Sequence, residues 1–172
     1  MKTLYLLRHA KSSWNDPMLD DYDRPLNPRG MRSAPLMGDY MRAKGYRPDV
    51  VLCSSARRTL ETLSLIKPSI GLDLPTLVED GLYLASADTI IGRVQEIEPR
   101  YESALVVGHN PGLEDAVLLL CRPDQPAGTE IPRAMPTAGL AVIAFDGPDW
   151  DAVREGTGTL TDFSVPRGVS DP

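Results

Sequence analysis

The sequence predicts a single α/β domain with a mostly parallel central sheet and helices on both faces. Short apolar runs rich in Val, Leu and Ile, bounded by polar residues or glycine, are typical of strands buried on both faces. Segments with helical start and stop signals lie between these runs, and this alternation is characteristic of α/β folds. The length of 172 residues suits one domain. We expect the domain to span residues 1–164 and the tail, residues 165–172, to be loosely ordered.

Four apolar runs predict the strands of this sheet. Their bounds are Thr3–Leu7, Val50–Cys53, Leu105–Val107 and Leu140–Phe145. The first run does not resemble an export signal, because its apolar part is only Leu4–Leu7 and no small-residue cleavage site follows it. Without an export signal, we expect the protein to be cytoplasmic. The segment before the last run, Arg122–Gly139, is rich in Pro and Gly and is predicted to be a long loop of the kind that is usually functional or mobile.

The first predicted helix, Pro28–Lys44, has the clearest end signals. Asn27 is a favourable N-cap, Pro28 stands at the first helical position, and Gly45 closes the helix. Pro35 falls inside this segment and predicts either a kink or a later start of the helix.

Three more helices are predicted between the remaining strands. Their bounds are Arg57–Ile66, Ala87–Ile97 and Gly112–Leu120. Pro68 and Pro99 should stop the first two, because a residue before proline avoids the helical conformation. Ser86 is a plausible N-cap for the second, and Asn110-Pro111 precedes the third.

Composition narrows the classes of function. Apolar residues make up 42% and charged residues 24%, as in a soluble globular protein, and no apolar run approaches the roughly 18–20 residues needed to span a membrane. The net charge of −6 disfavours nucleic-acid binding, although a local cluster of arginines can still bind one phosphate. Cys53 and Cys121 stand in apolar stretches without the spacing of a zinc site, so we expect buried, reduced thiols and no metal.

The two histidines of the chain have similar settings. His9 and His109 each end an apolar run, and an arginine pair, Arg57 and Arg58, follows a third run. Because ligands of open α/β sheets bind at the carboxyl ends of the strands, these side chains can converge on one crevice. Any one of them is more often structural than functional, but their joint placement favours a functional site.

This set of side chains suits phosphoryl transfer. That reaction needs an in-line nucleophile and positive donors around three phosphoryl oxygens. Imidazole is a competent nucleophile near neutral pH, and arginine presents a planar fork of donors that matches phosphate. His109 can add a further charged donor if it is protonated.

Three segments of the chain resemble the signature of the histidine phosphatase superfamily. Leu7 to Ser12, LRHAKS, is similar to L-R-H-[GA]-x-[ST], and Ser54 to Thr62 is similar to S-x-x-x-R-x-x-x-T. The third segment, Val107 to Asn110, matches V-[GS]-H-[GN]. By this spacing Arg58, rather than Arg57, corresponds to the phosphate-binding arginine. The resemblance implies a phosphoglycerate mutase-like fold for the domain and a phosphatase activity.

Within that superfamily the chain looks most similar to short, SixA-type phosphohistidine phosphatases. The similarity lies in its small size and in the runs Asp23–Leu26, Leu82–Ala85 and His109–Gly112. It implies hydrolysis of phosphohistidine on a phosphorelay protein. The same scaffold also serves small-molecule phosphatases and mutases, so a phosphorylated protein and a small phosphate ester both remain possible substrates. A phospho-binding module without turnover is the alternative from another class.

The resemblance also implies a mechanism and its residues. His9 attacks phosphorus while Arg8, Arg58 and His109 hold the phosphoryl oxygens, and a phosphohistidine forms at position 9. The remaining candidates are secondary: Ser12 and Asn15 as polar contacts, the backbone N–H of Asn110 as a donor, and Asp80, with Glu79 beside it, as a general acid. No metal and no cofactor are expected, because side chains supply the positive charge. The oligomeric state is not fixed by the sequence, and a monomer is our working expectation.

Overall fold

The computed structural model describes residues 1–166, so the last six residues of the expected tail, 167–172, lie outside the described part. Within the described residues, four helices alternate with the first five of six strands, and β6 follows β5 without an α-helix between them. The strands are β1 Lys2–Arg8, β2 Val50–Ser54, β3 Thr76–Glu79, β4 Ser103–Gly108, β5 Leu140–Phe145 and β6 Thr159–Ser164. The helices are α1 Pro28–Lys44, α2 Arg57–Ile70, α3 Ala87–Gln95 and α4 Gly112–Leu120. Short 3₁₀ turns occur at Asp21–Asp23, Asp80–Leu82 and Trp150–Ala152.

All six strands form one sheet in the order β3-β2-β4-β1-β5-β6. The pairs β3–β2, β2–β4 and β4–β1 are parallel, whereas β5 is antiparallel to both of its neighbours. Only β5 therefore runs against the others, and the predicted α/β domain with a mostly parallel central sheet is confirmed.

The two faces of the sheet carry separate apolar cores. Along β1, Leu4 and Leu6 face the core beneath α3 and α4, whereas Tyr5 and Leu7 face the core beneath α1 and α2. Successive strand residues point to opposite faces, so an uninterrupted apolar run is what a strand covered on both sides requires. The predicted helices on both faces are confirmed.

Two prolines do not have the effect that the sequence predicts. Helix α1 is continuous from Pro28 through Pro35, so the predicted later start is wrong, and α2 continues past Pro68 to Ile70 instead of ending at Ile66. Proline leaves the carbonyl four residues earlier without its helical partner. Those carbonyls belong to Met31 and Ser64, two exposed residues at which water can replace the missing bond.

Helix α3 is shorter than predicted and ends at Gln95 rather than Ile97. Glu96 and Ile97 donate their backbone N–H groups three residues back, to Arg93 and Val94, so the last turn tightens to 3₁₀ geometry. The remaining predicted helix, Gly112–Leu120, and the predicted strand Leu140–Phe145 have the bounds expected from the sequence.

The segment between α4 and β5 is the long loop that the sequence predicts. It is fastened near its start by Gln125, whose amide donates to the carbonyls of Arg122 and Gly158 and accepts from the N–H of Leu160. It is fastened again near its end, where the N–H of Ala138 donates to the carbonyl of His9. This second attachment brings the loop to the carboxyl edge of the sheet.

Both cysteines, Cys53 and Cys121, are free and buried, as expected. No helix in the described part of the chain is both long and apolar enough to cross a membrane.

Candidate active site

Three of the predicted residues meet at the carboxyl edge of the central strands. His9 directly follows β1, His109 directly follows β4, and Arg58 lies in the first turn of α2 behind β2. Because β2, β4 and β1 are adjacent in the sheet, the three side chains converge. All three are buried, with exposed fractions of 6% for His9, 3% for Arg58 and 2% for His109.

Two hydrogen bonds fix the imidazole of His9. Nδ1 lies 2.7 Å from the carbonyl oxygen of Ala10 and donates to it, because a carbonyl can only accept. Nε2 lies 3.3 Å from Nε of Arg58 and accepts from it, because a guanidinium can only donate. His9 is therefore held as the tautomer that is protonated on Nδ1, with its Nε2 lone pair accepting from Arg58.

The electrostatic environment keeps His9 neutral. Burial lowers the pKa of His9 to about 3; the bond to the Ala10 carbonyl opposes this shift, and the cations Arg58 and Arg8 reinforce it. A neutral imidazole, with one ring nitrogen unprotonated, is the nucleophilic form of histidine.

His109 lies beside His9, with 5.4 Å between the two ring centroids. Its Nε2 is 2.8 Å from Oγ of Ser54, and its Nδ1 is buried without a partner among residues 1–166. Burial lowers the pKa of His109 to about 4, and Arg58 adds to this effect against the opposing charge of Asp21. Burial and the neighbouring arginines thus favour the neutral form of His109.

Asp21 holds the guanidinium of Arg58 from the opposite side. The backbone carbonyl of Asp21 accepts from one terminal nitrogen of Arg58 at 2.7 Å, and its carboxylate accepts from the other at 3.0 Å. The carboxylate also accepts from the Tyr83 hydroxyl and from Arg24. Burial raises the pKa of Asp21, but these hydrogen bonds outweigh it and lower that pKa to about 2. Asp21 is therefore an ionised acceptor that orients Arg58.

Arg8 reaches the same edge from the last position of β1. Its terminal nitrogen donates to the carbonyl of Met135 at 3.0 Å, and its Nε is buried without a partner in the described chain. The Met135 carbonyl also accepts from the side-chain amide of Asn110 at 2.8 Å, and Glu114 accepts from the same amide at 3.1 Å. Asn110 therefore links the crevice to the long loop.

The two adjacent arginines face in different directions. Arg57 is exposed and pairs with Glu61 one helical turn later, at 3.1 Å, whereas Arg58 is buried against His9. Thr62 is the last specified position of the second motif segment, S-x-x-x-R-x-x-x-T, and its hydrogen bonds explain why a threonine stands there. Its hydroxyl donates to the carbonyl of Arg58 at 2.7 Å and accepts from the N–H of Ala10 at 3.0 Å, so it ties the residue after His9 to the helix that carries Arg58.

The secondary candidates have different surroundings. Ser12 is buried, and its hydroxyl accepts from Arg24 at 2.8 Å, so it forms part of the wall of the site. Asn15 is exposed on the segment that follows. Asn110 lies at the crevice, where its side-chain oxygen is buried without a partner among residues 1–166.

The two candidate general acids, Glu79 and Asp80, do not belong to the cluster of His9, Arg58 and His109. Both carboxylate oxygens of Glu79 accept from Nε of Arg93, so Glu79 is occupied by an ion pair on the α3 side. Asp80 is exposed and begins the 3₁₀ turn after β3, at the same edge of the sheet. Within residues 1–166 its side chain has no hydrogen bond or ion pair to His9, Arg58 or His109.

Sequence reasoning assigned no role to four residues that build the site. Ser54 and Thr62 are positions of the second motif segment, so the motif itself could have identified them as site residues. Asp21 and Tyr83 come from loops whose approach to Arg58 depends on the tertiary fold, and no sequence signal indicates it.

Unpaired polar atoms cluster at this edge. Within residues 1–166, five buried side-chain nitrogen or oxygen atoms have no hydrogen-bond partner. Four of them lie at the carboxyl ends of β1, β2 and β4: Arg8 Nε, Ser55 Oγ, His109 Nδ1 and Asn110 Oδ1. Each unsatisfied buried group costs about 1–3 kcal/mol, so their concentration indicates a pocket for a polar ligand. No group of three or more His, Cys, Asp or Glu side chains in the described chain could hold a metal ion.

Comparison with known proteins places this site in a family. The model of the histidine phosphatase superfamily (branch 1) matches residues 4–117. An uncharacterised protein of Mycobacterium tuberculosis is 37% identical over 164 residues, which are 94% of this chain and all of that protein. A shorter match, 38% identity over 74 residues, relates 42% of this chain to 30% of a 2,3-bisphosphoglycerate-dependent phosphoglycerate mutase of Thermobifida fusca.

Solved structures have the same fold. A candidate phosphohistidine phosphatase SixA from Nakamurella is 30% identical and superimposes with a TM-score of 0.83 over 97% of both chains. A candidate SixA from Agrobacterium tumefaciens is 29% identical, with a TM-score of 0.79 over 96% of this chain and 98% of that one. The predicted phosphoglycerate mutase-like fold is thereby confirmed. This chain belongs to branch 1 of the histidine phosphatase superfamily and is a phosphatase.

Proposed function

We propose that this phosphatase works through a covalent phosphohistidine on His9 and that its substrate is a phosphohistidine carried by a phosphorelay protein. One observation carries the covalent mechanism. The bonds from His9 to Ala10 and from Arg58 to His9 leave Nε2 as the unprotonated nitrogen, and that nitrogen faces the arginine. A residue that only binds phosphate would serve as an N–H donor and has no need of an unprotonated nitrogen at this position.

In the first step, the Nε2 lone pair of His9 attacks phosphorus in line with the leaving nitrogen. Arg58 exchanges its bond to Nε2 for one to a phosphoryl oxygen, and Arg8 and His109 donate to the others. The P–N bond of the substrate breaks, its electron pair stays on the leaving imidazole, and that nitrogen accepts a proton from solvent water. The Nδ1–H of His9 remains hydrogen-bonded to the Ala10 carbonyl. This hydrogen bond stabilises the positive charge that develops on the ring.

In the second step, water cleaves the phosphoenzyme. The water oxygen bonds to phosphorus, the P–Nε2 bond breaks, and its electron pair returns to Nε2. One proton of the water leaves to solvent, and inorganic phosphate departs. His9 is then restored to its starting tautomer, ready for another cycle.

The choice of a protein-borne phosphohistidine has structural support. Between α2 and β4 the described chain contains only β3, a 3₁₀ turn and α3, so this segment adds no inserted domain beside the crevice. Trp14 and Met18, on the segment beside it, have exposed fractions of 73% and 88%. These exposed apolar side chains offer a contact surface for a protein substrate. The isolated position of Asp80 points the same way, because the weak P–N bond of a phosphoramidate needs less acid catalysis than an ester.

The test is a panel of substrates assayed for kcat/KM without added metal: a phosphohistidine protein, an aryl phosphate and an alkyl phosphate. We expect the phosphohistidine protein to be preferred and the alkyl phosphate to be poor. Labelled substrate followed by an alkaline quench should leave phosphate on the enzyme, because phosphohistidine withstands alkali and not acid. The His9→Ala variant should neither turn over nor retain label, and parental turnover by this variant would overturn the covalent mechanism.

A second candidate is a small-molecule phosphatase or mutase. The local similarity to a phosphoglycerate mutase favours it. Preference for an alkyl phosphate in the same panel would establish this alternative, whereas binding of phosphate without turnover of any substrate would indicate a phospho-binding module. The cytoplasmic location and the monomeric state expected from the sequence remain predictions, and light scattering of the purified protein tests the latter.

A further inference from the structure

Ser54 is placed to control the second histidine of the site. It is the last residue of β2, and β2 is paired with β4, whose end carries His109. The side chain of Ser54 is fully buried, and its Oγ lies 2.8 Å from Nε2 of His109. No other protein atom in the described chain forms a hydrogen bond with this imidazole, because Nδ1 has no partner there.

The direction of this hydrogen bond follows from the other bonds of Ser54. Its Oγ accepts from the backbone N–H of Ala56 at 3.3 Å, so one lone pair is already used. A hydroxyl has a single proton to donate. His109 Nε2 is the only acceptor that the described structure provides for that proton. If Nε2 were the donor instead, the buried Ser54 proton would have no acceptor, at a cost of about 1–3 kcal/mol.

The surroundings of His109 agree with a neutral ring. The cations Arg58 and Arg8 disfavour a further positive charge, and only Asp21 favours one. The ring also faces His9 and the edge of Tyr83, at centroid distances of 5.4 and 5.5 Å. A neutral imidazole has one N–H, and its position is set by the bond that the other nitrogen makes.

We propose that Ser54 is a positioning residue that donates to Nε2 of His109 and thereby places the imidazole proton on Nδ1. The second histidine then serves the phosphoryl group as a neutral, directed N–H donor rather than as a cation. The part of this inference that concerns the phosphoryl group rests on the proposed function; the part that concerns the tautomer does not. The positive charge of the site is accordingly supplied by the arginines.

Nuclear magnetic resonance of the imidazole nitrogens tests the tautomer directly. The chain has two histidines, so a His9→Gln variant assigns both sets of signals. Near pH 7 we expect His109 of the parent to carry its proton on Nδ1 and a lone pair on Nε2. In Ser54→Ala the Nε2 signal should shift as the tautomers mix. Protonation at Nε2 in the parent, or an unchanged tautomer in Ser54→Ala, would overturn the proposal.

Kinetics provide the second measurement. Ser54→Ala should lower kcat by about tenfold to a hundredfold with a smaller change in KM, a loss typical of residues that orient a functional histidine. The matched control is Ser69→Ala. It removes a different buried hydroxyl, on α2, which is hydrogen-bonded to Asp39 at 3.4 Å. This control should leave both the tautomer and kcat unchanged.

The two measurements separate the two levels of inference. If Ser54→Ala does not fold, the parent spectrum alone decides the direction of the hydrogen bond. If the parent shows the Nδ1–H tautomer but turns over no phosphorylated substrate, the proposed function fails while the role of Ser54 stands.

Discussion

The buried histidines should make this protein lose stability as the pH falls below neutrality. The pKa of His9 is about 3 in the folded chain, and that of an unfolded histidine is about 6.5. Between these values the unfolded chain binds a proton that the folded chain refuses. The free energy of unfolding therefore decreases as the pH falls from about 6.5 toward the folded pKa.

The size of the effect follows from the same two values. At pH 5 an unfolded histidine is almost fully protonated and folded His9 is almost fully neutral. Protonation therefore stabilises the unfolded state relative to the folded state by the equivalent of about 1.5 pH units. This lowers the free energy of unfolding by about 2 kcal/mol. His109, with a pKa of about 4, should lose a similar amount. The two losses are coupled because the rings are neighbours, so we compare one histidine at a time.

Urea denaturation at pH 7.5 and pH 5.0 measures this loss. The parent should lose about 2 kcal/mol more between the two pH values than the His9→Gln variant, whose amide keeps a donor and an acceptor but does not titrate. Contributions from carboxylates are common to both proteins and cancel. Asn15→Ala, a change at an exposed residue, is the matched control and should retain the parental loss. An equal loss in the parent and in His9→Gln would refute the argument from burial.

Three further predictions concern the chemistry and its support. Arg58→Ala should lower kcat/KM by about 10²–10³, whereas Arg57→Ala, which removes only an exposed ion pair, should change it little; a larger loss for Arg57→Ala would show that the motif register is wrong. Asp80→Asn should leave phosphohistidine hydrolysis nearly unchanged in a kcat/KM assay, and collapse of a strong alkyl phosphatase activity in this variant would identify Asp80 as a general acid instead. Thr62→Val should cost about 1–3 kcal/mol in urea denaturation, because the buried N–H of Ala10 loses its acceptor, and it should also lower kcat; unchanged stability would contradict this role.

The buried part of the fold was predictable because burial on both faces leaves a mark in the sequence. The four central strands appear as uninterrupted apolar runs. The two strands that sequence reasoning missed, Thr76–Glu79 and Thr159–Ser164, are the edges of the sheet. In the first, Leu77 and Val78 are about half exposed, and in the second four of the six side chains are polar. An edge strand has fewer neighbours to select its residues, so its pattern is weak.

The residues of the candidate site likewise divide into those that the sequence predicts and those that it does not. His9, Arg58 and His109 could be predicted because each stands directly after a buried strand or at the start of the next helix, where the topology brings strand ends together. Asp21 and Tyr83 could not, because they reach Arg58 from two loops that are 62 residues apart. The lowered pKa of His109 also could not be predicted from the sequence, because it depends on burial and on the arginines around the ring.

The two attachments of the long loop have a consequence for protein engineering. Between Gln125 and Met135 the residues from 126 to 130 are mostly exposed, and the bonds that hold the loop lie on either side of them. Extra residues inserted there would lengthen the chain without disturbing the partners of Arg8 or Asn110. A recognition peptide grafted at this point would be connected through the loop to Met135, whose carbonyl accepts from Arg8 and Asn110 at the crevice, so the enzyme could be directed to a chosen phosphoprotein by fusion rather than by redesign of the site residues.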